Sequence, residues 1–478
     1  MTVSATYRPD PRFAALGDDF SDPVRPADFP EAHLRFWNDR WAGPVGLDTL
    51  DAAERAAHFH RFQALPDNQS QPRAMRYHGH QFRTYNPDLG DGRGFLFAQL
   101  RDDQDRLLDL ATKGSGTTPW SRSGDGRLTL KGAMREVLAA EMLEALGVYT
   151  SKAFAVFETG EALQRNDEPS PTRSAVLTRL GHSHVRLGTF QRHAYEGEPG
   201  RIEALIGHVI ETYYPGLAEA EDRPAALLEA VIAANARMAA GWMAAGFVHG
   251  VLNTDNINVT GESFDYGPWR FLPHYEPGFT AAYFDHSGLY CFARQPEAVY
   301  WALQQFAGAL SLAGDRSSLE TALAGFPAVY RTALLEAFLA RFGLASAGEA
   351  AEEALVRAFL AFMESSQLPW EGVIFDWFCG EASAERAMSG PRASAYTGEK
   401  FDTWRTAMAA HDAVRPERLD HAVFGQGEPV AMTIEVVEET WSAIDAADDW
   451  SRFEQRIADI RAAGEGYDLG RGRLGFRP

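Results

Sequence analysis

Two short segments of this 478-residue chain hold the side chains best suited to chemistry: His249-Gly250-Val251-Leu252-Asn253-Thr254-Asp255-Asn256 and, shortly after it, Asp265-Tyr266-Gly267. Asn256 and Asp265 are hard oxygen donors, the kind Mg2+ or Mn2+ takes when it also carries nucleotide phosphates. Asp255 is the loop carboxylate placed to accept a proton from a hydroxyl group. An Asn-Thr-Asp-Asn turn can also be simple Asx-turn hydrogen bonding. The His-Gly start, the position of Asn256, an expected strand through Ile257 and Val259, and the Asp-Tyr-Gly together argue for more than a turn.

The spacing resembles the catalytic loop and metal segment of kinase-type phosphotransferases, with one residue displaced. In those enzymes an Asp two places after the His accepts the hydroxyl proton. An Asn seven places after the His and an Asp on the next strand hold the metal. Asn256 falls on cue and Asp265 opens D-Y-G in place of D-F-G. The base position is Val251, which takes no proton. Metal-binding parts survive, and the proton-accepting role moves to Asp255.

Four further groups could meet a polyphosphate. Gly90-Asp91-Gly92-Arg93-Gly94 precedes a predicted strand; glycines let backbone N–H groups approach phosphate oxygens, although such patterns are also ordinary turns. Lys113 closes the next strand and Glu136 lies on the following helix, the arrangement in which a strand Lys contacts phosphates and pairs with a helix Glu. The intervening residues 114–127 form a Gly/Ser/Thr loop in which Asp125 could accept hydrogen bonds and Gly126 allow close approach. Arg179 and Arg186 could clamp phosphate with bidentate contacts, or serve as surface ion pairs of an acidic protein. The pairs His58/His60, His78/His80 and His182/His184 lack a cysteine or carboxylate at zinc-ligand spacing, so zinc is not the expected reading.

The elements that must position these groups follow from periodicity. Residues 1–70, Pro- and Asp-rich with scattered aromatics, read as an N-terminal extension packing on the rest, with a helix near 48–65. Residues 94–100 and 106–111 read as a hairpin around a polar turn, 128–146 as a helix capped by Gly147, and 153–158 and 174–179 as strands. Beyond about residue 200 the pattern is helical: 225–245 leads into the His249 loop, and 294–310 and much of 319–362 are Ala-rich helix. The expected organisation is α+β and two-lobed: a β-rich small lobe over 71–190, a mainly helical large lobe over 191–463, and a mobile Gly/Arg tail over 464–478.

Composition bounds the partners. A chain this long buries more than one core, and 45% hydrophobic residues with 30 Phe and 11 Trp require a folded protein. A formal charge of −21 disfavours nucleic acid and acidic membranes and means that a nucleotide needs a locally basic pocket. Two cysteines, Cys291 and Cys379, suit a reducing compartment. No apolar leader and no run of about 18 apolar residues is expected to span a bilayer, which points to a soluble, cytoplasmic protein.

In their order along the chain, residues 77–94, 113–136, 175–190 and 249–268 resemble the selenoprotein O family of protein adenylyltransferases, pseudokinases that move AMP onto protein hydroxyls. The resemblance implies a two-lobed protein-kinase-like fold. It implies ATP contacts from Gly90, Gly92, Arg93, Lys113, Asp125, Gly126, Arg179 and Arg186, with Asp255 as proton acceptor and Asn256 and Asp265 holding Mg2+ or Mn2+. Family members bind ATP turned end for end relative to ordinary kinases. Many carry a cysteine or selenocysteine near the C-terminus; this sequence ends Gly475-Phe476-Arg477-Pro478, so redox control through that tail is not expected.

The expected activity is therefore AMP transfer from ATP to Ser, Thr or Tyr hydroxyls of proteins. A kinase using the γ-phosphate is the alternative that Val251 opposes. A catalytically dead nucleotide-binding scaffold is the alternative opposed by Lys113, Asp255, Asn256 and Asp265 all being present.

Overall fold

A computed structural model describes residues 3–166 and 168–469. The strands are β1 (Ser21–Pro23), β2 (His33–Trp37), β3 (Arg73–Met75), β4 (Gly79–Gln81), β5 (Thr84–Asn86), β6 (Leu96–Arg101), β7 (Leu107–Lys113), β8 (Leu128–Thr129), β9 (Lys152–Leu163), β10 (Thr172–Gly181), β11 (Phe247–His249) and β12 (Trp269–Phe271). The helices are α1 (Asp39–Ala42), α2 (Ala52–Phe59), α3 (Leu130–Ala145), α4 (Leu187–Glu196), α5 (Pro199–Tyr213), α6 (Arg223–Ala245), α7 (Gln295–Leu310), α8 (Arg316–Ala324), α9 (Phe326–Phe342), α10 (Glu349–Ser366), α11 (Trp370–Asp376), α12 (Ala384–Ser389), α13 (Glu399–Met408), α14 (Ile434–Ala447) and α15 (Ser451–Tyr467).

One antiparallel sheet runs β1-β3-β6-β7-β10-β9-β2, with β8 added to β10. Its two ends both come from the first forty residues: β1 pairs Ser21 with Met75, and β2 pairs Leu34 with Phe157. The N-terminal extension is thus woven into the sheet, and α2 covers it with Phe59, which meets Trp37, Phe97 and Phe154. The helix is shorter than the expected span of 48–65. Asp51 and Glu54 form a reciprocal cap that fixes its start, and helix ends by Phe59.

Helix α3 begins two residues later than expected because Leu128 and Thr129 pair with β10; Thr129 Oγ1 then accepts from Gly132 N at 3.1 Å. Its buried Glu141 gathers both ends of the chain. Arg40 donates to it at 2.8 Å, and Arg461 of α15 donates two bonds at 2.9 Å. Helix α15 runs through Tyr467, whose buried hydroxyl donates to Glu371 at 3.0 Å. The tail expected from 464 therefore starts too early: Gly464 packs on Ala145 of α3 and Gly466 on Val423 and His421, and both stay helical. Residues 470–478 lie outside the described ones.

The helical lobe forms around α6, whose Leu228, Val231, Ile232 and Trp242 are buried with Phe306 of α7 and Phe326 of α9. A second aromatic core joins Phe342, Phe359, Trp370 and Trp404. Within the 27-residue stretch Arg316–Phe342 an 18-residue window has a mean hydropathy of 1.2, long and apolar enough by composition to cross a membrane, contrary to the sequence expectation. It is split at Gly325 into α8 and α9, and Phe326, Leu335, Phe338 and Phe342 are buried in the helical cores. The expected strand through Ile257 and Val259 is instead a short extended pairing with the chain before α4, through Leu187 N to Ile257 O (2.9 Å) and Val259 N to Val185 O (3.0 Å).

Candidate active site

The sheet fixes the first cluster of charges. Leu177 of β10 lies opposite Lys113 of β7, so Arg179, two residues on, projects from the same face. Lys113 Nζ bonds Glu136 Oε1 of α3, giving the strand-to-helix ion pair, and lies 2.6 Å from Asp265 Oδ1. Arg179 reaches the same Asp265 oxygen at 3.2 Å. Burial alone would raise the Asp265 pKa, but Lys113 and Arg179 hold it well below the usual carboxylate range. Asp265 sits at φ 60°, a left-handed conformation uncommon for a non-glycine residue. Phe264 beside it offers its ring to both arginines, Arg179 at 5.7 Å and Arg186 at 5.4 Å.

The loop bearing Asp255 is clamped from both lobes. Thr254 Oγ1 donates to Gln191 of α4 at 2.5 Å and accepts from His80 N at 2.8 Å. Asn253 Oδ1 accepts from Phe82 N (3.1 Å) and the Tyr290 hydroxyl (3.0 Å). These bonds explain residues 77–94 in part: the β4–β5 hairpin holds the loop. A Cβ on Gly79 would stand 2.9 Å from Asp255 Oδ1, so glycine keeps that space open. Asp255 Oδ1 is buried with no hydrogen-bond partner, and burial pushes the carboxyl pKa up to about 6.

Gly90, Gly92, Arg93, Lys113, Asp125, Gly126, Arg179, Arg186, Asp255 and Asp265 line one cavity of about 900 Å³. Glu136 stands behind Lys113, and Asn256 is the neighbour of Asp255 in the Thr254–Asn256 turn. Seven cationic side chains face four carboxylates in this cavity, a local reversal of the chain's negative charge. The glycines before β6 have a structural use as well. A Cβ on Gly90 would meet the Trp120 ring at 2.4 Å, so the 114–127 loop folds over this turn. Asp125 lies at the rim, bonded by Arg127 N at 2.9 Å and paired with Arg165 at 2.8 Å.

Several lining residues escaped the sequence reading. Asp91 accepts from Met75 N at 3.0 Å and pairs with Arg186 at 3.1 Å. Arg122 faces Asp255 electrostatically, and Tyr283, 78% exposed, stands at the opening. Asp91 sits inside the Gly-rich segment 90–94 and Arg122 inside the 114–127 loop, so both lie in segments the sequence marks. The three histidine pairs serve other ends: His78 bonds Tyr85 (2.8 Å), His182 bonds Tyr149 (2.6 Å), and His58 bonds the Gln63 carbonyl (2.7 Å).

Asn256 and Asp265 are hard oxygen donors of the type a divalent cation takes. Asn256 Nδ2 donates to Val251 O at 3.0 Å, which leaves its Oδ1 as the amide's acceptor atom, while Asp265 Oδ1 is held by Lys113 and Arg179.

A β-rich lobe with a Lys–Glu ion pair, a helical lobe with an Asp-Tyr-Gly, and a basic cleft between them define a two-lobed, kinase-like nucleotide-dependent transferase. The family model described as "Protein adenylyltransferase SelO" matches residues 3–461, and the chain belongs to this family. It is 42% identical over 464 residues to "Protein nucleotidyltransferase YdiU" of Gloeobacter violaceus, covering 95% of this chain and 94% of that protein. It is 40% identical to the protein of the same name from Synechococcus elongatus, covering 96% and 95%. The namesake from Vibrio cholerae is 37% identical over 79% of this chain and 76% of its own length.

Proposed function

We propose that this chain transfers AMP from ATP to a Ser, Thr or Tyr hydroxyl of other proteins and releases pyrophosphate. The observation that carries the reading is the separation of roles within one cleft. Lys113 and Arg179 converge on Asp265 at the sheet, whereas Asp255, whose Oδ1 has no hydrogen-bond partner, lies on a different loop, under the β4–β5 hairpin. Guanidinium and ammonium groups suit phosphate better than an apolar base. We therefore read the β- and γ-phosphates as pointing toward Lys113, Arg179 and Arg186, with adenosine toward the opening.

The acceptor oxygen attacks the α-phosphorus, and its proton passes to Asp255. The bond from the α-phosphorus to the oxygen bridging to the β-phosphate breaks, and pyrophosphate leaves with that oxygen. A carboxyl near pKa 6 is ionised at neutral pH yet basic enough to accept the proton. Asn256 and Asp265 would hold Mg2+ or Mn2+, which when bound supplies charge neutralisation to the phosphates. Lys113, Arg179 and Arg186 orient the leaving group and stabilise its growing charge. ATP is the co-substrate, and the cytoplasm is the compartment this reading implies.

ATP labelled separately at α and γ tests the reading. Label from the α position should stay on the acceptor protein and label from γ should appear in pyrophosphate. The reverse would make the chain a kinase.

A further inference from the structure

A second basic cavity, of about 530 Å³, adjoins the nucleotide cleft and shares Arg93, Lys113, Arg127, Arg165 and Tyr283 with it. It lies beyond the Lys113–Glu136 pair, between the start of α3 and β12. Seven cationic side chains face it against two carboxylates, Glu136 and Glu168. Most of these cations are already matched. Arg127 holds Glu161 at 2.8 Å, Arg165 holds Asp125 at 2.8 Å, and Lys131 holds Glu438 at 2.7 Å.

Arg135 and Arg270 are different. Both donate to one backbone oxygen, the Trp269 carbonyl, at 3.4 and 2.8 Å, and Arg135 also stacks over the Trp269 ring at 5.4 Å. Among the described residues neither forms an ion pair. Burial, then the neighbouring Arg270, lower the Arg135 pKa to about 10. Among the described residues Glu438 and Glu168 act on Arg135, and Glu438 and Glu435 on Arg270, from beyond ion-pair distance, so a phosphate-class anion adds the bidentate hydrogen bonds that these carboxylates do not make.

We propose that this cavity is a second anion site, which takes the pyrophosphate product as it leaves the nucleotide cleft. The inference rests on the AMP-transfer reading, because that reaction forms pyrophosphate beside Lys113. Arg93 and Lys113 belong to both cavities, so the anion passes from one set of cations to the next without crossing the acceptor side at Asp255. A carboxylate-rich peptide would match the charge as well; pyrophosphate is the chosen occupant because Arg93 and Lys113 line both this cavity and the cleft in which that product forms.

The test is calorimetric titration of the full-length protein with inorganic pyrophosphate while a non-hydrolysable ATP analogue saturates the nucleotide cleft. One further pyrophosphate should bind, and the double substitution Arg135→Gln with Arg270→Gln should weaken it at least tenfold. Analogue affinity should change less than twofold. Arg135→Lys with Arg270→Lys, which keeps the charges, should retain measurable binding and so separates site loss from misfolding. In turnover assays pyrophosphate inhibition should keep a component that saturating ATP does not remove, absent in the Gln variant. No binding beside the analogue, equal binding in the Gln variant, or displacement only by a polyglutamate peptide would overturn the proposal. The binding measurement needs no transfer, so a γ-label result against AMP transfer and a missing pyrophosphate site are separate failures.

Discussion

Lys113 Nζ stands 2.6 Å from Asp265 Oδ1 while it bonds Glu136 on its other side. One ammonium group thus joins the β-sheet, helix α3 and the Asp-Tyr-Gly segment, with side-chain exposures of 6% for Lys113 and 3% for Glu136. Removing it leaves the buried Glu136 and the 27%-exposed Asp265 to Arg179, at 3.9 and 3.2 Å. Lys113→Ala should lower unfolding free energy by about 3 kcal/mol, the lower end of the cost of breaking a buried pair, because Arg179 remains. Urea denaturation measures this. A change under about 1 kcal/mol would mean that the pair is solvated in solution.

Asp255 carries the proton in the proposed reaction. Asp255→Asn should cut turnover by roughly 10²–10⁴-fold while ATP affinity, set by Lys113 and the arginines, stays near wild type. The wild-type rate should fall as pH drops through about 6, where the carboxyl protonates. A variant with near-normal turnover removes Asp255 from the mechanism.

The same group makes a prediction about stability with the opposite sign. Its folded pKa is raised from 3.8 to about 6, so the folded state binds more protons than the unfolded state between those values. Its contribution is therefore lost as pH rises through that window. In ATP-free protein Asp255→Asn should raise stability at pH 7, by up to about 3 kcal/mol, and make no difference at pH 3. Thermal unfolding at the two pH values is the check.

Asn256→Ala and Asp265→Ala should both weaken Mg2+-dependent nucleotide binding, Asp265 more because it brings formal charge. Calorimetry with and without Mg2+ reads the difference. Metal dependence unchanged in Asp265→Ala would show that the Asp-Tyr-Gly does another job.

Gly79→Ala tests the hairpin clamp. The added methyl would press on Asp255 Oδ1 at 2.9 Å and Thr254 Oγ1 at 3.1 Å. Turnover should drop at least tenfold, with ATP affinity altered less than threefold, because the hairpin touches the base loop and not the phosphate cations. Equal losses in both would indicate a general collapse of the small lobe.

Lys113, Glu136, Arg179 and Asp265 were legible in the sequence because each sits at a fixed place on a short, strongly patterned element. The charges meet because β7, β10 and α3 are neighbours, and hydrophobic periodicity, of strand type for the first two and helix type for α3, announces all three. Trp120 over Gly90 was not legible, since a loop's landing point depends on space rather than periodicity. Nor was the clamp of Thr254 by His80 and Gln191, whose partners are separated in sequence by up to 174 positions. The extent of α2 and the start of α3 missed by a few residues, as reciprocal capping and a sheet bond decided them locally. Residues from 464 read as a mobile Gly/Arg tail, and packing of Gly464 on Ala145 and of Gly466 on Val423 outweighed their low helix propensity.

Glu141 has one more consequence, for how the protein comes off the ribosome. It bonds Arg40, near the beginning of the chain, and Arg461, near the end, from the same helix that presents Glu136. During synthesis the small lobe can assemble its strands once β10 has emerged, but α3 lacks its Arg461 partner until α15 is made. A message cut short before that codon yields a polypeptide with every lining residue of the nucleotide cleft and an incompletely braced helix. Loss of α15 would therefore loosen the same helix that presents Glu136 to Lys113, and local opening would begin at the brace and not at the cleft.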